Sequence, residues 1–280
     1  MKDGFIITVL SMIPKKPTAR LMGWTARLRF PSLINKAFLR AFVWKYNINM
    51  EESAAKLEDC TSLSDLFLRP LKNGIREIDP REHVCVSPVD GTIHSFGRII
   101  DGKFLQAEDM TGSVQNLCGD HHDELKASEF HNGQYMIIYL SPQDYHRVHS
   151  HTDGTLTLIR YLPGRLWPVF PAATRKIESL FDKNERLLFS YQTSHGKQLL
   201  AMIGAFGVGR MTSVFCDITT NTETPAKDVR AQNEIQRGME IGAFALGSTV
   251  ILMWNNDKIS WLVSRGEKIR LGAPIAEFDS

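Results

Sequence analysis

From Asp79-Pro80 onward, short apolar segments alternate with Asp-Gly and Asn-Gly dipeptides: Asp90-Gly91, Asp101-Gly102, Asn132-Gly133 and Asp153-Gly154. Each such dipeptide can reverse the chain in two residues, and apolar runs of roughly four to eight residues between turns suit strands better than helices. This punctuation constrains the fold more than any other feature. It predicts a β-rich domain over residues 76–280, with strands near 135–140, 155–162, 186–191, 198–206, 211–217 and 248–254. There is no alternation of long helices with strands, so a doubly wound sheet is excluded. One internal echo, Arg237-Gly238-Met239-Glu240-Ile241 against Arg265-Gly266-Glu267-Lys268-Ile269, predicts two similar turn-strand hairpins packed together.

Residues 1–75 read differently. The first fifty carry nine Lys and Arg against Asp3 alone, while the whole chain has a net charge of only +2, so the remainder is acidic. A basic head on an acidic body predicts a surface for polyanions. The run Phe5–Ile13 is apolar but ends at Pro14, short of the ~20 residues needed to span a bilayer, and no small-residue cleavage site follows it, so a secretory signal is not expected. Leu33, Ile34, Ala37, Phe38, Ala41 and Phe42 recur at helical spacing, edged by Lys36, Arg40, Trp44 and Lys45. That pattern suits an amphipathic helix lying in an anionic lipid interface; a core-packing pair of basic helices stays open. A nucleic-acid arm is not expected from so aliphatic a segment. Ser62–Leu71 is predicted as a short N-capped helix stopped by Pro70.

The stretch Leu246-Gly247-Ser248-Thr249 lies close to the C-terminus. Gly247 lacks a Cβ, so its carbonyl can be approached closely, and the Ser248 hydroxyl could attack the carbonyl of its own preceding peptide bond. Elimination from the resulting ester would leave a dehydrated serine, which hydrolyses to a pyruvoyl group. A plain strand of small residues fits the same tetrapeptide. A second constellation is Tyr139–His149, with His146 and His149 three residues apart and His151 just beyond. Histidine suits proton transfer near neutrality; a metal pair on one helical face is the alternative, weakened by the lack of a supporting Cys or Glu. Asp90, in its tight turn, together with a histidine of 146–149 and Ser248 would make an Asp–His–Ser set that activates the hydroxyl.

Other signals are weaker. Gly204–Gly209 reads G-x-x-G-x-G, which is not a dinucleotide fingerprint. The four cysteines, Cys60, Cys85, Cys118 and Cys216, contain no C-x-x-C pair and read as reduced thiols.

Six pieces in order, Phe67–Leu71, Ser87–Gly91, Tyr139–His149, Leu162-Pro163-Gly164, Asn184-Glu185-Arg186 and Leu246–Thr249, make the chain resemble the bacterial phosphatidylserine decarboxylases along nearly its whole length. The resemblance implies a mostly antiparallel β core of barrel-sandwich, lipoyl-like character with N-terminal amphipathic helices, an α+β class. It implies self-cleavage between Gly247 and Ser248 into a β chain (1–247) and an α chain (248–280), held as a heterodimer or a dimer of these. Asp90 and His149 match the positions that activate the serine, and His146 the histidine of the decarboxylation step, as proton donor or electrostatic partner. A pyruvoyl group on Ser248 would form a Schiff base with phosphatidylserine, and loss of CO2 would yield phosphatidylethanolamine, with no pyridoxal phosphate and no metal. The expected location is peripheral, at the cytoplasmic face of the cell membrane, with Leu166–Phe170 lining a lipid-tail path or a core loop. Rival readings are a pyruvoyl enzyme for a soluble amino acid, a non-catalytic membrane module, and a metal-dependent hydrolase.

Overall fold

The structure, a computed structural model, describes residues 32–119, 125–205, 210–218, 220–221, 225–245 and 249–279. Its strands are β1 (Val84–Val86), β2 (Gly91–Arg98), β3 (Lys103–Ala107), β4 (Met110–Ser113), β5 (Gln134–Tyr139), β6 (Arg147–His149), β7 (Gly154–Leu162) and β8 (Arg186–Thr193). They continue as β9 (Gly196–Ile203), β10 (Met211–Ser213), β11 (Lys227–Ile235), β12 (Glu240–Phe244), β13 (Thr249–Trp254), β14 (Ile259–Trp261), β15 (Lys268–Ile269) and β16 (Pro274–Phe278). Two helices matter here, α1 (Ser32–Tyr46) and α2 (Leu63–Phe67).

An eight-stranded sheet in the order β11-β7-β8-β9-β13-β5-β2-β15 carries the core, flanked by β1-β16-β14, β10-β12-β6 and the β3-β4 hairpin. Every pairing between named strands is antiparallel. The class is therefore α+β and β-rich, as the turn pattern predicts. The β2–β3 turn shows why: Asp101 and Gly102 both take positive φ, 50° and 72°, the geometry of a two-residue hairpin whose twist matches its strands.

β13 lies between β9 and β5, and all six of its residues, Thr-Val-Ile-Leu-Met-Trp, are buried. Both faces of this strand are covered, so the sequence runs apolar without alternation. Predicted strands match β5, β7, β8, β9 and β13 to within about three residues, but that at 211–217 stops at Ser213. β11, with its exposed Lys-Asp-Val-Arg-Ala-Gln-Asn-Glu run, escapes an apolar pattern because it is an edge strand wetted along most of its length. The Arg-Gly echo does feed two strands, through Gly238 (φ 78°) and Gly266 (φ 81°). However, β12 and β15 join different sheets, so the expected pair of packed hairpins is not formed.

α2 is capped as predicted: the Asp65 N–H donates to Ser62 Oγ at 3.2 Å. On α1, Leu39 is fully buried and packs with Ile48, Cys60 and Leu66 in a small second core. The opposite face does not pack: Leu33 is 82%, Ile34 59%, Phe38 45% and Trp44 84% exposed. At 100° per residue these four fall on one continuous arc. Leu166 and Val169 are buried and Trp167 and Phe170 pack against the main core, so 166–170 takes the core-loop alternative.

The motif Asn184-Glu185-Arg186 explains itself by backbone capture. Asn184 Nδ2 donates to the carbonyls of Trp167 (2.9 Å) and Gly204 (2.8 Å). Arg186 donates to the carbonyls of Leu117 (2.7 Å), Asn184 (2.9 Å) and Asn116. A Cβ on Gly164 would sit 2.4 Å from the Asn184 carbonyl carbon, so only glycine allows Leu162-Pro163-Gly164 to pass this strand end.

Candidate active site

Asp90 follows a turn fixed by Ser87, whose hydroxyl donates to the Val89 carbonyl at 2.6 Å. Gly91 then opens β2 against Tyr139, where an added Cβ would lie 2.7 Å from the Tyr139 carbonyl oxygen. Asp90 is 8% exposed and its carboxylate is met twice. Arg76 donates to it through Nε (2.9 Å) and Nη2 (2.5 Å), and the Leu271 N–H donates at 2.8 Å. Arg76 also binds Glu52 at 2.6 Å, and Arg270 reaches Glu52 at 3.3 Å. A planar guanidinium suits this two-pronged grip. Arg76 stands in none of the six family pieces, and nothing at fourteen residues' separation marked it as Asp90's partner.

His149 lies beside this turn, its backbone N–H donating to the Pro88 carbonyl at 2.9 Å. Its Nδ1 is 2.7 Å from the Gly238 carbonyl, so Nδ1 carries the proton, and the Tyr145 hydroxyl donates to Nε2 at 3.2 Å. Asp90 makes no hydrogen bond to this imidazole; the orienting acceptor is a backbone carbonyl. Burial lowers the His149 pKa, partly opposed by the Gly238 bond.

His146 is fully buried, with Nδ1 donating to the Asp144 carbonyl at 2.8 Å and the ring packed edge-on to Phe67 at 4.7 Å. Its Nε2 has no hydrogen-bond partner among the described residues. Burial pushes its pKa down to about 3, so the ring is neutral and Nε2 presents a lone pair. In this state Nε2 can accept a hydrogen bond or a proton but carries none of its own. The two histidines sit at and just before a strand, so the helical metal-pair geometry is not formed.

Leu246, Gly247 and Ser248 lie outside the described residues, but the chain on either side is well placed. The Phe244 N–H donates to the His146 carbonyl at 2.9 Å, just before the segment. Thr249, just after it, pairs with Tyr139 and Ile203. Its hydroxyl oxygen is buried and has no partner among the described residues. Tyr139 pairs in turn with Thr92, two residues from Asp90, so two strand spacings, about 10 Å, separate Thr249 from Thr92. Three residues must bridge Ala245 to Thr249, at most about 14 Å of chain.

α2 delivers the remaining parts. Arg69, 4% exposed, donates to the carbonyls of Leu66 (3.1 Å), Gln143 (3.2 Å) and Asp144 (3.4 Å), and Arg147 donates to that of Leu68 at 2.9 and 3.0 Å. These bonds tie Phe67–Arg69 to the loop that holds His146. Arg69, Asp144 and Tyr145 stand inside the quoted motifs without having been singled out; only their contacts reveal their work. Among the described residues no cluster of three or more His, Cys, Asp or Glu could hold a metal ion.

The fold and this cluster define an antiparallel α+β protein that brings two histidines and an arginine-paired carboxylate together at its loops and strand ends. The family profile described as phosphatidylserine decarboxylase matches residues 63–277. The phosphatidylserine decarboxylase proenzyme of Myxococcus xanthus (strain DK1622) is 37% identical over 279 residues, covering 98% of this chain and 99% of the relative. The proenzymes of that name from Anaeromyxobacter sp. (strain K), 36% identical over 282 residues, and Legionella pneumophila (strain Lens), 38% over 275, cover 98% and 95% of this chain and 99% and 95% of their own. The chain belongs to the phosphatidylserine decarboxylase family.

Proposed function

We propose that this chain is made as a proenzyme, cleaves itself between Gly247 and Ser248, and then decarboxylates phosphatidylserine to phosphatidylethanolamine. The observation that carries the reading is a pair of orphaned buried atoms, His146 Nε2 and Thr249 Oγ1: the His146 carbonyl accepts the Phe244 N–H just before Leu246, and Thr249 follows Ser248 in the chain. Buried polar atoms are rarely left unpaired without a purpose. A small oxygen-bearing group at residue 248 is the kind of partner both could serve, so the residues present fit a pyruvoyl group.

In self-cleavage, the Ser248 hydroxyl attacks the Gly247 carbonyl and gives its proton to His149 Nε2, the one nitrogen of that ring with a lone pair. Tyr145 must release this nitrogen first. Asp90, held in place by the Arg76 grip, supplies a carboxylate near the imidazolium as it forms. When present, the pyruvoyl ketone supplies an electron sink for the pair left by departing CO2. His146 Nε2 would take the proton that the substrate's ammonium gives up and return it to the carbon that has lost CO2.

Cleavage would leave β13 to β16 on the small chain, with β13 still hydrogen-bonded between β9 and β5 and β16 beside β1. The two chains therefore stay together as a heterodimer. The exposed apolar arc of α1, edged by Lys36, Arg40 and Lys45, gives the enzyme a way to rest on an anionic bilayer that holds its substrate; no described helix is long and apolar enough to cross one.

The test is an intact-mass spectrum of purified protein with decarboxylation measured on phosphatidylserine vesicles. The expected result is a 33-residue fragment from residue 248, lighter than a serine N-terminus allows and blocked to Edman sequencing, whereas Ser248→Ala stays whole and inactive. A cleaved Ser248→Ala product would sink the mechanism.

A further inference from the structure

The lone pair on His149 Nε2 has two claimants. The Gly238 carbonyl, 2.7 Å away, fixes the ring proton on Nδ1, so Nε2 is the single acceptor of the imidazole and takes one in-plane hydrogen bond. In the uncut chain the Tyr145 hydroxyl holds it at 3.2 Å, with the two rings 5.7 Å apart and tilted by 34°. The Ser248 hydroxyl needs the same lone pair to lose its proton, and both cannot be bonded to it at once.

Tyr145 is held where it stands. It is buried, and burial pushes its hydroxyl up to about 12, so near neutrality the oxygen keeps its proton and remains a donor. Its neighbours are pinned on both sides. The Ser141 N–H donates to the Asp144 carboxylate at 2.7 Å just before it, and Arg147 just after it grips the Leu68 carbonyl and Glu240. The phenol nevertheless has open volume beside it. Tyr145 lines a cavity of about 350 Å³ together with Asn47, Asn49, Gln143 and Asp144, and His149 is not among the described residues there. A phenol that swings into this cavity gives up His149.

We propose that Tyr145 is a latch on self-cleavage: its hydroxyl occupies His149 Nε2 in the uncut chain, and only molecules whose phenol has moved away can react. The inference rests on the self-cleavage reading and adds the residue that sets its rate. Tyr145 acts through His149, and no bond to the phenol is made or broken in the reaction. A neutral hydrogen bond of ordinary worth leaves about a sixth of the molecules unlatched at any moment. The same bond favours neutral imidazole over imidazolium, so one factor governs both the rate and the pH at which the base switches off.

The test is pulse-chase self-cleavage of the freshly translated full chain between pH 5 and 8. Tyr145→Phe keeps the ring and removes only the hydroxyl. It is expected to cleave about sixfold faster than wild type on the alkaline plateau, with its half-rate pH about 0.8 unit higher, and to converge on wild type at acid pH. A change of packing alone would scale the rate equally at every pH. The charges that act on His149 are Glu240 on β12, Arg147 on its own strand and Asp90 in the turn, and Arg69 acts on Tyr145. The variant keeps all four, so a moved midpoint reports the hydroxyl. A second measurement does not depend on cleavage: in the uncut Ser248→Ala chain, the His149 titration followed by NMR should rise by the same amount when Tyr145→Phe is added. Cleavage of Tyr145→Phe no faster than wild type at pH 8, or an unmoved His149 titration, overturns the latch. A wild-type chain that never cuts at Gly247-Ser248 overturns the functional reading instead, and the titration still decides whether Tyr145 holds His149.

Discussion

At the scale of single residues, the site works by fixing which nitrogen of each histidine is free. A carbonyl can only accept, so Gly238 and Asp144 force the proton onto Nδ1 of His149 and His146 and leave both Nε2 atoms basic. His146→Ala should therefore cleave at least in part yet decarboxylate poorly, as read by fragment mass beside CO2 release; equal loss of both steps would show that the two histidines share one role. Arg76 is the residue on which Asp90 depends. Arg76→Met leaves two largely buried carboxylates short of a cation, and should cost about 3 kcal/mol. Urea unfolding of the uncut Ser248→Ala chain measures it, and a midpoint unchanged by the substitution would show that Arg270 and solvent already satisfy the pair. Asp90, His146 and His149 were legible as residue types within motifs. Their partners were not: Arg76, Tyr145 and the Gly238 carbonyl lie 14, 4 and 89 residues away, and no local pattern encodes such pairings.

At the scale of elements, α1 shows how one sequence pattern can have two outcomes. The apolar spacing of residues 33–42 fits a buried face as well as a lipid-facing one. The fold uses Leu39 for packing and leaves Leu33, Ile34, Phe38 and Trp44 in water. A contiguous apolar strip next to basic residues is an interaction surface. Phe38→Asp with Trp44→Asp should reduce sedimentation with anionic vesicles at least tenfold, at about 1 kcal/mol or more for each buried side chain lost, while decarboxylation of detergent-dispersed substrate persists. Activity lost equally in both assays would place this face inside the catalytic body. The strands of the core were easier to read than β11, because β5, β9 and β13 are covered on both faces and keep an apolar signal that an edge strand does not need.

At the scale of the whole molecule, the interior holds two neutral histidines whose charging opposes folding. His146 and His151 are both fully buried, and burial pushes each down to about 3 from an ordinary 6.5. Below pH 6.5 the unfolded chain takes up protons that the folded chain refuses, so this contribution to stability is complete above 6.5 and is lost as pH falls towards 3. Each residue adds a slope approaching 1.4 kcal/mol per pH unit in that window. The Tm should accordingly be flat from pH 8 to 7 and fall between 6.5 and 5, above the range where most carboxylates titrate. His151→Gln should lessen that fall, and a Tm as steady at pH 5 as at pH 7 would rule the histidines out as its cause.

What the sequence determined by itself was local or repetitive. The Asp101-Gly102 dipeptide reverses the chain in two residues, apolar runs become strands, Ser62 caps its own helix, and six ordered motifs declare the family. What the tertiary structure alone decided was which groups meet and which leave water. Folding closes the Arg76–Asp90–Glu52 network, sets the tautomer of His149 through the distant Gly238 carbonyl, and splits the apolar residues of α1 between core and solvent. These outcomes turn on distances of a few ångströms between remote segments, and hydrogen bonds and desolvation respond to distance rather than to order along the chain.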